Sequence, residues 1–180
     1  MGYGEIWWLW EDSGPDSLDR ALKALVEAGL STENEFGEHV YLDEKGRQQP
    51  WDERLVFDLW NSGKVVTLQL WLSGEVDVVV VASRSEGVIT LGLDGHDWSE
   101  ARRTSQMAIG AALTLGGTRA MIIDNQLEEF GDEFNELITR GETSYPFEPA
   151  LLLLPGTEER SFSITVSEDS WLSLGNGSQI

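Results

Sequence analysis

Residues 5–12 read EIWWLWED, with three tryptophans in four consecutive positions and carboxylates on both sides. A short, unbroken apolar run that is rich in aromatic residues is typical of a β-strand rather than of a helix. Because neighbouring residues of a strand point to opposite faces, Trp8 shares one predicted face with its even-numbered neighbours, and Trp7 and Leu9 share the other. Apolar residues on both faces predict a core strand that is buried on two sides. If the chain's own helices leave the face of Trp7 and Leu9 open, we expect a partner or a second copy to dock there.

Outward from this strand, apolar residues recur at helical spacing in four segments. The predicted helices cover residues 18–26, 55–60, 97–115 and 127–138. Asp16 or Ser17 is available as the N-cap of the first helix, and Gly29 as its stop. Asp97 followed by Glu100 gives the third helix a start that resembles a capping box.

Further apolar and β-branched runs predict strands at residues 39–42, 65–72, 76–82, 88–93, 119–123, 150–154 and 161–166. The second, third and fourth of these are separated by short turns, which is the spacing of an antiparallel meander. The run from Val76 to Ala82 is apolar on both faces except at Asp77, which predicts a sheet covered on both sides. The predicted fold is α+β, or α/β: a single-domain sandwich with a mixed β-sheet, an antiparallel meander in the centre and about four helices. The domain is predicted to span residues 1–174, followed by a flexible tail over residues 175–180.

The composition excludes several classes of site. The chain of 180 residues contains no cysteine, so it can form neither a disulfide nor a cysteine-ligated zinc site. It carries no phosphate-binding loop, dinucleotide fingerprint, nucleophile elbow or H-E-x-x-H pair. Its apolar runs are far shorter than the roughly 20 residues of a spanning helix, and its first residues do not resemble a secretory signal. The sequence therefore predicts a cytoplasmic protein without a membrane contact or a cofactor.

Charge is the strongest global signal in the sequence. The chain has 32 acidic and 12 basic residues, for a formal net charge of −20. A field of this sign repels nucleic-acid phosphates and anionic membranes and accelerates the encounter with basic proteins. We therefore expect a basic protein partner and no direct nucleic-acid ligand. The alternative is that the acidity serves only solubility.

The fourth predicted helix offers one candidate surface for such a partner. One of its faces carries five carboxylates, while an apolar stripe occupies the opposite face. The acidic face consists of Glu128, Glu129, Asp132, Glu133 and Glu136. Carboxylates so close together repel one another unless a basic partner neutralises them. These five residues and Trp7 are the predicted partner contacts.

A second constellation, Asp94, His96 and Asp124, follows two predicted strands. If these strands run parallel, their C-terminal ends meet at one edge of the sheet, where open α/β sheets bind ligands. Carboxylates and an imidazole there would suit a divalent cation or general acid–base chemistry. The alternative is that these residues form turns and helix caps.

Three functions follow from these observations. The first is a non-enzymatic, acidic binding protein that neutralises a basic partner, for example an immunity protein that inhibits a bacterial toxin such as a nuclease. The second is a small metal-assisted enzyme that uses Asp94, His96 and Asp124. The third is an oligomer-forming structural subunit, such as a homodimer whose second sheet face is closed by the other copy.

Overall fold

The computed structural model describes residues 4–10, 14–124, 151–155 and 162–166, with Asp124 and the last two segments described by their backbone alone. Nine strands and three helices lie in these residues. Their order is β1 (Glu5–Trp10), α1 (Ser17–Glu27), β2 (Val40–Leu42), β3 (Gln48–Pro50), α2 (Glu53–Asn61), β4 (Val66–Ser73), β5 (Val76–Ser83), β6 (Val88–Gly92), α3 (Trp98–Thr114), β7 (Thr118–Asp124), β8 (Leu151–Pro155) and β9 (Phe162–Val166). The predicted α+β class is consistent with this arrangement. The fourth predicted helix, residues 127–138, and the predicted tail lie outside the described residues.

The strands form one sheet in the order β3-β2-β4-β5-β6-β1-β7-β8-β9. Every described pairing is antiparallel, so the prediction of a mixed sheet was wrong. The reason is the position of β1, the tryptophan-rich strand, between β6 and β7. Glu5 pairs with Gly92 on one side and with Asp124 on the other. Consequently β6 and β7 run in the same direction but are not hydrogen-bonded to each other.

The predicted meander is confirmed, because β5 pairs with both β4 and β6. The predicted terminal pair is also present as β8 and β9. Strand β3, with the sequence QQP, was missed because it lacks an apolar pattern. Its hairpin with β2 is closed by Asp43, which accepts the backbone N–H groups of Lys45 and Arg47. The Arg47 guanidinium, 2.7 Å from that carboxylate, lowers the pKa of Asp43 from 3.8 to about 2.

All three helices pack on the face of the sheet that carries Trp8, which we call the helix-covered face. The helices contribute mainly aliphatic side chains and small residues to this core. These include Leu18, Leu22 and Leu25 from α1, Val56 and Trp60 from α2, and Ala108, Ile109 and Ala112 from α3. Gly29 ends α1 with φ +118°, a value that disfavours side chains. The predicted capping box of α3 is confirmed, with reciprocal bonds between Asp97 and Glu100.

Trp8 lies at the centre of the helix-covered core. It is 0% exposed, and its ring centroid is 4.8 Å from that of Trp10. The Trp8 indole N–H donates to the Thr118 hydroxyl at 2.9 Å. That hydroxyl in turn donates to the backbone oxygen of Ala112 at 2.9 Å. One buried side chain thus connects β1 with β7 and, through Thr118, with α3.

The opposite face is buried unevenly. Trp7 and Leu9 are 8% and 3% exposed in the single chain, so β1 is buried on both faces as predicted. No second copy is required to bury these two side chains, and the docking of a partner or a second copy on this face stays a prediction. In β5, by contrast, Val79 and Val81 are only half-buried. Two-sided burial was therefore wrong for that strand. Within the described residues, no helix is long and apolar enough to cross a membrane.

Candidate protein-binding surface

The antiparallel order brings several strand ends together at one end of the sheet. The C-terminal ends of β4, β6 and β7 lie there beside the N-terminal ends of β5 and β1. An isolated bridge between Ser31 and Trp71 attaches the loop after α1 to the same end. We call this region the acidic end and define it as residues 4–6, 31–39, 73–77 and 92–100 together with Asp124.

Ten acidic residues and no lysine or arginine lie in the acidic end. They are Glu5, Glu33, Glu35, Glu38, Glu75, Asp77, Asp94, Asp97, Glu100 and Asp124. The described turns at the other end of the sheet are residues 14–16, 43–47, 61–65, 83–88 and 115–119. Those turns hold five basic and four acidic residues. The described part of the chain is therefore polarised along the strand direction, which concentrates its negative potential at one end.

An exposed phenylalanine projects from the acidic end. Phe36 is 77% exposed, and in the sequence it lies between two acidic residues, Glu35 and Glu38. The Asn34 side-chain oxygen accepts the backbone N–H groups of Phe36 and Glu38, both at 2.9 Å. A Glu33–His39 contact of 2.8 Å closes the base of the loop. These bonds fix the backbone that presents Phe36, which lowers the entropy cost of using its ring in a contact.

A second exposed aromatic residue lies at the start of α3. Trp98 is 62% exposed and follows directly after the N-cap residue Asp97. The Asp97 carboxylate accepts the N–H groups of Ser99 and Glu100 at 2.8 and 2.9 Å. These bonds, chiefly the one from Glu100, hold the pKa of Asp97 below its ordinary value of 3.8. The carboxylate of Asp97, which belongs to the acidic end, therefore stays charged even in mild acid.

An NMR titration tests this geometry at Asp97. We expect the side-chain carboxyl carbon to titrate below pH 3.8. Because the pKa is lowered by folding, the cap stabilises α3 above the unfolded value, and this stabilisation is lost as the pH falls through the folded value. Amide exchange at Glu100 should rise over the same interval. In the control Asp97→Asn, which keeps an acceptor but does not titrate, that rise should be absent; a midpoint at or above 3.8 contradicts the assignment.

The structure places the predicted metal residues as follows. The ends of β6 and β7 lie on either side of Glu5, so Asp94 and Asp124 are at the same end of the sheet, as expected. His96 is 5% exposed, and its Nε2 donates to the backbone oxygen of Asp77 at 2.8 Å. That bond leaves only the buried Nδ1 as a possible ligand atom. Among the described residues, no three histidine or acidic side chains form a group able to hold a metal ion. Asp124 is described by its backbone alone, and the metal site stays a prediction.

Of the predicted partner contacts, only Trp7 belongs to the described residues. Glu128, Glu129, Asp132, Glu133 and Glu136 lie outside the described residues. Trp7 is a core residue of β1, and its indole N–H donates to Glu5 at 2.9 Å. A contact between Trp7 and a partner stays a prediction that would require its ring to be uncovered. The Phe36 loop was missed, although an aromatic residue between carboxylates in the Asn-Glu-Phe-Gly turn is a readable signal.

Comparison with models of protein families, with curated proteins and with solved structures found no match to this chain. Function is therefore inferred from the geometry and charge of the surface itself.

Proposed function

We propose that this protein is a non-enzymatic binding protein that neutralises a basic protein partner through the acidic end. The observation that carries the proposal is the coincidence of ten acidic residues with two exposed aromatic side chains, Phe36 and Trp98. A bacterial cytoplasmic protein that inhibits a basic toxin, such as a nuclease, fits this combination. The acidic face predicted for residues 128–136 would also attract a basic partner.

Carboxylates and aromatic rings have different tasks in this proposal. Long-range attraction to the acidic end speeds the encounter with a basic surface and depends strongly on salt. Affinity comes from burying rings in pockets on the partner, because aromatic residues dominate the energetics of most interfaces. Phe36 is suited to this task since its loop is already ordered. Carboxylates at the edge of the proposed contact, such as Glu35 and Glu38, would then affect specificity and the association rate more than the final affinity.

Photo-crosslinking in the native host tests the proposal. A photoreactive phenylalanine analogue is placed at Phe36 in the full chain, and the crosslinked product is identified. The matched control carries the analogue at Val65, which is 55% exposed and lies at the other end of the sheet. We expect a strongly basic protein to be crosslinked from position 36 and not from position 65. The product should disappear at high salt, because screening removes the attraction between exposed charges.

Two results would contradict the proposal. The first is the recovery of identical products from both positions, which indicates non-specific contact. The second is a position-36 product that is acidic or neutral and insensitive to salt.

A further inference from the structure

A cavity lies between α1 and α2 above β4. Its volume is about 290 Å³. Apolar side chains dominate its walls, with Leu22 from α1, Phe57 from α2 and Leu68 and Leu70 from β4. Trp51, which precedes α2, also lines it. The volume is near the lower limit of about 300 Å³ for small-molecule sites, so the cavity suits a small occupant.

Three charged side chains from the two helices line the same cavity. Lys23 and Asp19, both on α1, form an ion pair of 2.7 Å. The side chain of Glu53, the first residue of α2, forms no hydrogen bond or ion pair with any described residue. At longer range Glu53 acts with Asp19, the main cause, to raise the pKa of Lys23. One carboxylate therefore remains without a direct cationic partner beside an apolar, aromatic cavity.

We propose that this cavity binds a small organic cation, that is, an ammonium or guanidinium group on an apolar body. Glu53 would accept the charged group, and the aromatic rings of Trp51 and Phe57 would favour a cation further. The aliphatic walls would bury the apolar body and so remove its methylene groups from water, which favours binding. An anionic ligand is disfavoured, since the two helices line the cavity with two carboxylates, Glu53 and Asp19, and with one lysine, Lys23, which is already paired with Asp19.

Thr32 and His39 of the acidic end also line this cavity. The proposal nevertheless concerns the cavity and not the exposed Phe36 and Trp98, and it does not rest on the proposed function.

An ammonium or guanidinium group on an apolar body has two sources. It belongs either to a free small molecule, such as an amine, or to a lysine or arginine side chain of a protein. The probes are n-hexylamine, the uncharged n-hexanol of matched length, and Nα-acetyl-lysine amide. Binding is followed on the purified full chain by two-dimensional NMR, with the Trp51 indole N–H as the reporter. We expect hexylamine to bind at least tenfold more tightly than hexanol. Equal affinity of hexylamine and the lysine derivative assigns the site to protein side chains, and weaker binding of the derivative assigns it to free amines.

Glu53→Gln should remove the preference for the amine while leaving the binding of hexanol unchanged. Its matched control is Glu44→Gln, an exposed carboxylate outside the cavity, which should keep the preference. Equal affinity for the amine and the alcohol in the unmodified protein would overturn the proposal. So would shift changes that map away from Trp51, or the absence of binding at tens of millimolar amine. None of these outcomes bears on the crosslinking result at Phe36, so the two proposals fail separately.

Discussion

Replacing Trp8 with alanine should lower the free energy of unfolding by about 3–5 kcal/mol, as expected for removal of a large core aromatic side chain. Trp8 is 0% exposed, so the change leaves a cavity as well as losing apolar burial. It also removes the donor to Thr118, whose hydroxyl connects β7 with the end of α3. Equilibrium unfolding in urea, monitored by far-ultraviolet circular dichroism, measures the effect.

Two further variants make that result interpretable. Thr118→Val should cost about 1–3 kcal/mol, because it leaves the Trp8 N–H buried without an acceptor. This smaller change remains measurable if Trp8→Ala fails to fold. Trp98→Ala removes the same type of side chain from an exposed site, 62% accessible, and should cost far less. Similar losses for Trp8→Ala and Trp98→Ala would contradict the assignment of β1 to the centre of the core.

Local patterns in the sequence predicted the elements well. The apolar run of β1 and the Asp97–Glu100 box of α3 are short-range signals, and each lies where it was expected. The helix caps show the limits of such signals. Asp16 is the N-cap of α1, but its side chain makes no capping bond there; the Ser17 hydroxyl instead donates to the backbone oxygen of Gly14.

The sheet order was not readable from the sequence, because it depends on pairing between distant segments. Placing β1 between β6 and β7 makes all described neighbours antiparallel, although β6, α3 and β7 resemble a parallel crossover unit. The continuous apolar run of β5 indicated two buried faces, yet Val79 and Val81 are only half-buried. A run of valines reflects strand propensity as much as burial, so it cannot distinguish a strand buried on both faces from a strand buried on one.

The negative charge of the candidate surface could be predicted from the sequence, but its position on the fold could not. The excess of acidic residues predicted attraction to a basic partner, but composition does not locate charge. Segments far apart in sequence, such as the Phe36 loop and the turn before α3, lie at the same end of the sheet only because of the strand order. The charge separation along the strands is therefore a property of the fold.

Neutralising part of the acidic end should slow association with the basic partner identified by crosslinking. The variant Glu33→Gln/Glu35→Gln/Glu38→Gln keeps side-chain size and polarity around Phe36 while removing three carboxylates. We expect the association rate constant at low salt to fall by about tenfold or more, since electrostatic steering accelerates association by roughly 10- to 1,000-fold. The dissociation rate constant should change less, because these charges lie at the rim of the proposed contact.

The decisive measurement compares this variant with a control that removes the same number of charges outside the acidic end. The control, Glu44→Gln/Asp58→Asn/Glu86→Gln, also removes three exposed carboxylates, so both variants change the net charge of −20 by the same amount. Stopped-flow association rates are measured for both over a range of salt concentrations. We predict a large decrease for the acidic-end variant, a small one for the control, and convergence of all rates at high salt. Equal decreases for the two variants, or no decrease in either, would contradict the assignment of binding to the acidic end.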